Sequence, residues 1–279
     1  MTDSDNYVYR LRVTEPMREP VLRAAVDALH LPKGSRGLDA GCGIGLQVPL
    51  LADAVGPDGH VTGLDLRPEF LREAERVAEE AGLSGRVAFR QGDINNLPFE
   101  DNTFDWLWSA SCAGYPAEEP VPLVQELARV VKPRGIVAIL VYSSQILLPG
   151  YPLLEARLNA TSAGISPFTK SMRPESHWLC AVGWLRDAGL EEVKSRTFVA
   201  EFQAPLTHEI RDALISLLEM RWEGAQSEVS KEDWAVYQRL SQPQSSEFVL
   251  DRPDYYAFFT ETLFQGKVGN DKVNAQEDR

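Results

Sequence analysis

At 279 residues, with 44% hydrophobic and 25% charged positions, the chain has an ordinary globular composition and room for one large domain or a domain with a substantial insertion. Its 28 basic residues against 41 acidic ones give a formal net charge of −13 with no Lys/Arg run, which argues against nucleic acid as a partner. Three scattered cysteines (Cys42, Cys112, Cys180), the polar start Met1–Arg10 and the lack of any stretch near the roughly 20 apolar residues of a membrane span point to a cytoplasmic protein without disulfide framework, metal site, signal core or membrane span.

Residues 1–16 read as an N-terminal arm, with Tyr7 and Tyr9 packing on a surface or folding over a site. Thr14 and Pro16 then introduce a helix with Val21, Leu22, Ala25, Val26 and Leu29 on one face. Strands are expected over 37–40, 60–65, 86–90, 103–109 and 136–142. Helices should run to about 55, from Pro68 to a cap at Gly82, and over 120–131. The last strand of that set is almost continuously apolar, as a strand covered on both faces should be. This alternation predicts an α/β, doubly wound, mostly parallel seven-stranded sheet, which binds ligands at the carboxyl ends of its strands. Beyond Tyr142 come helical stretches over 147–161 and 177–188, a sixth strand over 192–202, helices over 210–221 and 231–241, and a last strand over 255–264. The reading therefore divides the chain into an arm (1–16), a cofactor-binding core (17–145), the rest of the sheet with a helical insertion before the last strand (146–268), and a polar tail (269–279).

The chain is organised around Leu38-Asp39-Ala40-Gly41-Cys42-Gly43-Ile44-Gly45. Glycines at alternate positions let the backbone turn sharply and approach a ligand, and the helix that follows aims free N–H groups at the same place. The spacing is G-x-G-x-G, not the G-x-G-x-x-G of dinucleotide sites. Asp39 would repel a pyrophosphate and suits a cofactor bearing an ammonium group. Asp65, at the end of the second strand, can accept both hydroxyls of a ribose or serve as a helix N-cap.

With Gly92-Asp93-Ile94, Leu97-Pro98-Phe99, Phe104-Asp105 and Val130-Val131-Lys132-Pro133-Arg134-Gly135, these motifs fall in the order and spacing of the class I S-adenosylmethionine-dependent methyltransferases. The chain resembles that family over about Gly37 to Tyr142, and within it the small-molecule branch that includes ubiquinone and menaquinone biosynthesis C-methyltransferases. Arg134 stands where the family has a second glycine. The resemblance implies S-adenosyl-L-methionine as cofactor. Asp39, Gly41 and Gly43 would hold its amino-acid part, Asp65 its ribose, and Asp93, Ile94 and Leu66 its adenine, with Cys42 and Gly45 of the same turn as further cofactor contacts. It also implies in-line methyl transfer to a small, apolar or aromatic acceptor, with S-adenosylhomocysteine released.

The end of the fourth strand should face the transferable methyl, which makes Ser109 and Tyr115 candidate contacts. His177 is a candidate base, with a partly buried structural histidine as the alternative. Cys42 has no base near it in sequence and reads as structural. Competing readings are a non-catalytic S-adenosylmethionine-binding regulatory or assembly protein, a nicotinamide oxidoreductase, and a nucleic-acid or protein methyltransferase. Asp39 and the glycine spacing speak against the oxidoreductase. The absence of an Asn-Pro-Pro-Tyr type motif after the fourth strand speaks against the last. A helical region with apolar surface is compatible with a homodimer.

Overall fold

The computed structural model describes residues 3–113 and 119–270. Seven strands, β1 Arg36–Ala40, β2 His60–Asp65, β3 Val87–Gln91, β4 Phe104–Ala110, β5 Val131–Ile146, β6 Leu190–Gln203 and β7 Tyr256–Val268, form one sheet in the order β3-β2-β1-β4-β5-β7-β6. β1 runs parallel to β2 and β4, β2 to β3, and β4 to β5. Thr197 meets Thr262 and Glu192 meets Lys267, so residue numbers fall on β6 as they rise on β7 and these two strands are antiparallel. Helices α1 Asp3–Leu29, α2 Val48–Val55, α3 Pro68–Glu80 and α4 Pro120–Arg129 accompany the first strands. After β5 come α5 Pro152–Asn159, α6 Ser162–Ile165 and α7 Ala181–Asp187, and α8 His208–Arg221 and α9 Lys231–Ser241 form the expected insertion before β7. No helix among the described residues is long and apolar enough to cross a membrane.

The chain divides into two compact units. One contains Met1–Val21, Ser143–Met172 and Val199–Glu261; the other contains Leu22–Tyr142, Arg173–Phe198 and Thr262–Arg279. In the second unit the core is built on β4, where Trp106 and Trp108 are fully buried. A Cβ on Gly37 would lie 2.0 Å from the Trp106 ring, so glycine is required where the indole crosses β1. The two indoles donate to Ser35 Oγ at 2.9 Å and Gln47 Oε1 at 2.7 Å, which satisfies their polar edges inside the core. The first unit is held by a side-chain network. Arg221 donates to Gln145 Oε1 and to the carbonyls of Ala163 and Gly164, and the Trp222 indole donates to Asn159.

Several boundaries differ from expectation for identifiable reasons. Residues 3–16 are not an arm, because α1 is continuous to Leu29 with Pro16 and Pro20 inside it. The Thr-x-Pro start signal is overridden: Thr14 Oγ1 turns back onto Arg10 O, and Arg18 locks to Glu261 through Nε at 2.8 Å and Nη2 at 2.7 Å. The stretch 147–161 is a turn followed by a shorter helix starting at Pro152, and 177–180 is not α-helical: His177 lies between two 3₁₀ turns, Pro174–Ser176 and Trp178–Cys180. β5 begins at Val131 rather than Ile136, because a register shift against β4 absorbs the 132–135 turn. Of the tail, residues 271–279 lie outside the described residues.

Candidate cofactor site

The site is built in the second unit, at the carboxyl ends of β1 to β4. Leaving β1, the chain turns through Gly41, Gly43 and Gly45, all at positive φ (83°, 54° and 75°). The turn is tied to β2: Gly41 N and Cys42 N both donate to Leu64 O at 2.8 and 2.9 Å, and Gly43 N donates to Asp65 Oδ2 at 2.9 Å. The three glycines do different things. A Cβ on Gly41 would sit 2.2 Å from Cys112 Sγ, and one on Gly45 would sit 2.7 Å from Ala74 Cβ, so both are needed for packing. A Cβ on Gly43 would meet nothing within 4 Å. Only there does the missing side chain leave space for a ligand.

Three carboxylates lie at or just beyond the ends of β1, β2 and β3. Asp39 is 2% exposed, and its Oδ2 has no hydrogen-bond partner among the described residues. Burial, then the charge of Asp65, pushes its carboxyl up to about 7. An acid in that state lacks a cation. Asp65 is half-buried; Oδ2 takes Gly43 N, and Oδ1 takes Arg67 N at 2.9 Å, which leaves each oxygen a further lone pair. The helix N-cap is Arg67, so Asp65 is not the cap itself: it braces the entry to α3 through Arg67 N and keeps open acceptor capacity. Asp93 uses Oδ1 for Asn95 N and Nδ2, both at 2.9 Å. Leu66 is 63% exposed beside Asp65, an apolar side chain left to water, and Ile94 is half-buried beside Asp93.

Elsewhere the candidates take different roles. Ser109 is fully buried; its Oγ donates to Ala40 O at 2.7 Å and accepts from Ala113 N at 3.0 Å. The hydroxyl is committed to joining β1 to the segment after β4, so it does not face a ligand as the sequence suggested. Tyr115 lies outside the described residues. His177 is half-buried and stacks on Trp178 at 4.2 Å, whose indole donates to Tyr142 O. Burial lowers the His177 pKa, and Nδ1 accepts from Leu179 N at 3.2 Å. That pattern assigns the proton of the neutral ring to Nε2, making it a donor there, not a base. The Cys42 thiol is pushed up by burial and then by Asp39 and Asp65, and Cys112 likewise to about 12, so both are inert as nucleophiles at neutral pH. Cys112 itself escaped the sequence reading. Nothing local marks it, because its role is to fill the space over Gly41.

Residues 38–135 match the family described as "Methyltransferase domain". A demethylmenaquinone methyltransferase of Geobacillus kaustophilus is 34% identical over 145 residues, 52% of this chain and 59% of its own. The chain spans about half the length of the curated relatives it matches. Among solved structures, a protein from Bacillus halodurans assigned as a methyltransferase superposes with a TM-score of 0.55 over 89% of this chain and 99% of its own, at 19% identity, which speaks for the fold alone. The S-adenosylmethionine-dependent methyltransferase SibL is 28% identical over 65% of this chain and 51% of its own, with a TM-score of 0.50.

Proposed function

We propose that the chain is a class I S-adenosylmethionine-dependent methyltransferase and that it transfers a methyl group from S-adenosyl-L-methionine to a small apolar or aromatic acceptor. The observation that carries this reading is the buried, unpartnered Oδ2 of Asp39 beside a glycine turn open only at Gly43. A carboxylate desolvated that far is stabilised by a cationic partner, and the cofactor's ammonium group supplies one. Asp39 takes the cofactor's amino group, Asp65 its ribose hydroxyls, and Asp93 its adenine amine, with Leu66 and Ile94 against the ring. Gly43 gives the space for the amino-acid part.

The bound cofactor supplies a methyl already activated on a sulfonium, so the chain's task is to align an acceptor and keep water out. No strong base is required for an ionised acceptor, and a neutral His177 serves as a hydrogen-bond donor in such a scheme. A demethylated quinol is the acceptor class suggested by the Geobacillus relative's name. Three free cysteines fit a reducing, cytoplasmic setting, and the acidic surface fits a small molecule better than a nucleic acid. A homodimer is compatible with this scheme.

Calorimetric titration with S-adenosylmethionine, against NADH and with Asp65→Ala alongside, tests the cofactor. Micromolar binding of the first ligand only, weakened in the variant, is expected. Release of S-adenosylhomocysteine in the presence of naphthoquinols and phenols then tests transfer. Binding without turnover across that set would favour a regulatory S-adenosylmethionine-binding protein instead.

A further inference from the structure

The segment that leaves β3 toward Phe99 has no regular structure of its own, yet it carries Asp93 and Ile94. At its entrance Gly92 N donates to Asp65 O at 3.1 Å. Its middle is a tight turn in which Asn96 N returns to Asp93 O at 3.1 Å, and Pro98 closes back to 3.0 Å from where a Gly92 Cβ would stand. Its exit is gripped by two residues of α4. Glu126 Oε1 accepts from Leu97 N at 2.6 Å. Arg129 donates to Leu97 O at 3.0 Å, to Phe99 O at 2.8 Å and to Asp101 at 2.8 Å, and its remaining N–H groups hold both Glu126 oxygens at 2.8 Å. These bonds occupy all five guanidinium donors.

We propose that Arg129, set by Glu126, is the positioning residue for adenine recognition. It fixes the Leu97–Phe99 end of the loop so that Asp93 meets the adenine amine at a set distance. The inference rests on the cofactor reading above and adds a function to residues that touch no ligand themselves. A lysine cannot replace the arginine, because a point charge with three rotatable donors does not span two carbonyls and two carboxylates at once. What should fail in such a variant is discrimination at the base.

The test is the ratio of affinities for S-adenosylhomocysteine and S-inosylhomocysteine, which differ at the group Asp93 is placed to read. The wild type should prefer the adenosyl compound by about 10-fold or more, as expected for one charge-assisted hydrogen bond. In Arg129→Lys the ratio should fall to within about threefold of unity, as in Asp93→Asn, with both compounds still binding through their amino-acid end. A wild-type ratio in Arg129→Lys, whatever its melting temperature, overturns the proposal and leaves the arginine merely structural. Should that variant not fold, Glu126→Gln carries the test: it keeps an acceptor for Leu97 N but loosens the guanidinium, and an unchanged ratio overturns the proposal equally. Binding of neither compound to folded wild type overturns the cofactor reading and this inference together. Equal binding of both to the wild type removes the base recognition on which it rests and spares the cofactor reading.

Discussion

Two strand exits in this molecule solve one problem in opposite ways. Where β1 and its neighbour β2 end, and again where β5 ends, two backbone amides leave the sheet and a carboxylate accepts them. At the β1 exit Asp65 takes Gly43 N and Arg67 N but is half-buried, with lone pairs to spare. At the β5 exit Glu155 takes Leu147 N at 2.8 Å and Leu148 N at 3.0 Å, is 2% exposed, and is joined by Tyr255 Oη donating to Leu147 O. Each carboxylate accepts one amide on each oxygen, but the spare lone pairs of the first can be reached from outside and those of the second are buried. Access to that unspent capacity separates a site from a brace, and residue type alone does not reveal it.

The largest effect should come from adding one carbon at the β1 exit. Gly41→Ala combines φ 83° with a contact 2.2 Å from Cys112 Sγ, so a loss of about 3 kcal/mol or more, or failure to fold, is expected in calorimetry. Gly43→Ala, at φ 54° with open space, should lose only about 1 kcal/mol of stability yet bind S-adenosylmethionine at least about 10-fold more weakly. Equal stability losses in the two variants would break the distinction between a packing glycine and a ligand glycine.

The carboxylates should separate next. Glu155→Ala leaves two buried amides unpaired and should cost about 3 kcal/mol in denaturant unfolding, with cofactor affinity unchanged. Asp65→Ala exposes its amides to water, so its stability cost should be nearer 1 kcal/mol while affinity falls about 30-fold or more.

How far each exit was legible in the sequence follows the same line. The β1 exit depends on glycines and acids within a few residues of one another, a constraint of the local backbone, so Asp39, Gly43 and Asp65 could be singled out and the sheet inferred from the alternation around them. The β5 exit depends on partners far apart in sequence, Leu147 with Tyr255 and Gln145 with Arg221, for which no local pattern exists. Ser109 was misread for that reason. Its position at a strand end was clear, but the Ala40 carbonyl that claims its hydroxyl was not. The continuous α1 was missed because Thr14 and Pro16 read as a helix start by local rules, and the Arg18–Glu261 pair that helps hold the helix lies 243 residues apart in sequence.

Asp39 sharpens the comparison through pH. Its folded carboxyl lies near 7 against an ordinary 3.8, so between those values the unfolded chain binds fewer protons than the folded one, and wild-type stability should fall as pH rises through that window. Asp39→Asn removes the burden. Its advantage over wild type should grow from nothing near pH 4 to something on the order of 3 kcal/mol above pH 7, read from melting at fixed ionic strength. Wild-type affinity for the ammonium-bearing cofactor should rise over the same window as Asp39 ionises, while the variant stays flat and about 10-fold or more weaker at pH 8. A wild type whose stability does not change between pH 5 and 7 would show that the orphaned oxygen is hydrated and not desolvated.

The smallest effect belongs to Arg134, where the sequence departs from the glycine of the family it resembles. Its φ is 68°, which for a residue with a side chain costs about 1–2 kcal/mol. The side chain is put to use, since it pairs with Glu192 at 2.9 Å and Glu191 at 3.5 Å across to β6. Both pairs are exposed, so solvent screens them and they contribute little. Arg134→Gly would relieve the backbone but give up those pairs and enlarge the freedom of the unfolded chain by about 0.5–1 kcal/mol. The terms nearly cancel, so the melting temperature should move little and S-adenosylmethionine affinity not at all. Glu192→Ala also gives up Lys267, so the pairing is read from the difference between backgrounds: the variant should lose slightly more stability in wild type than in the glycine background, with that difference shrinking in high salt. A gain well above 1 kcal/mol in Arg134→Gly would mean the strain is unrelieved in the native chain, and that the arginine is kept for something other than holding β5 to β6.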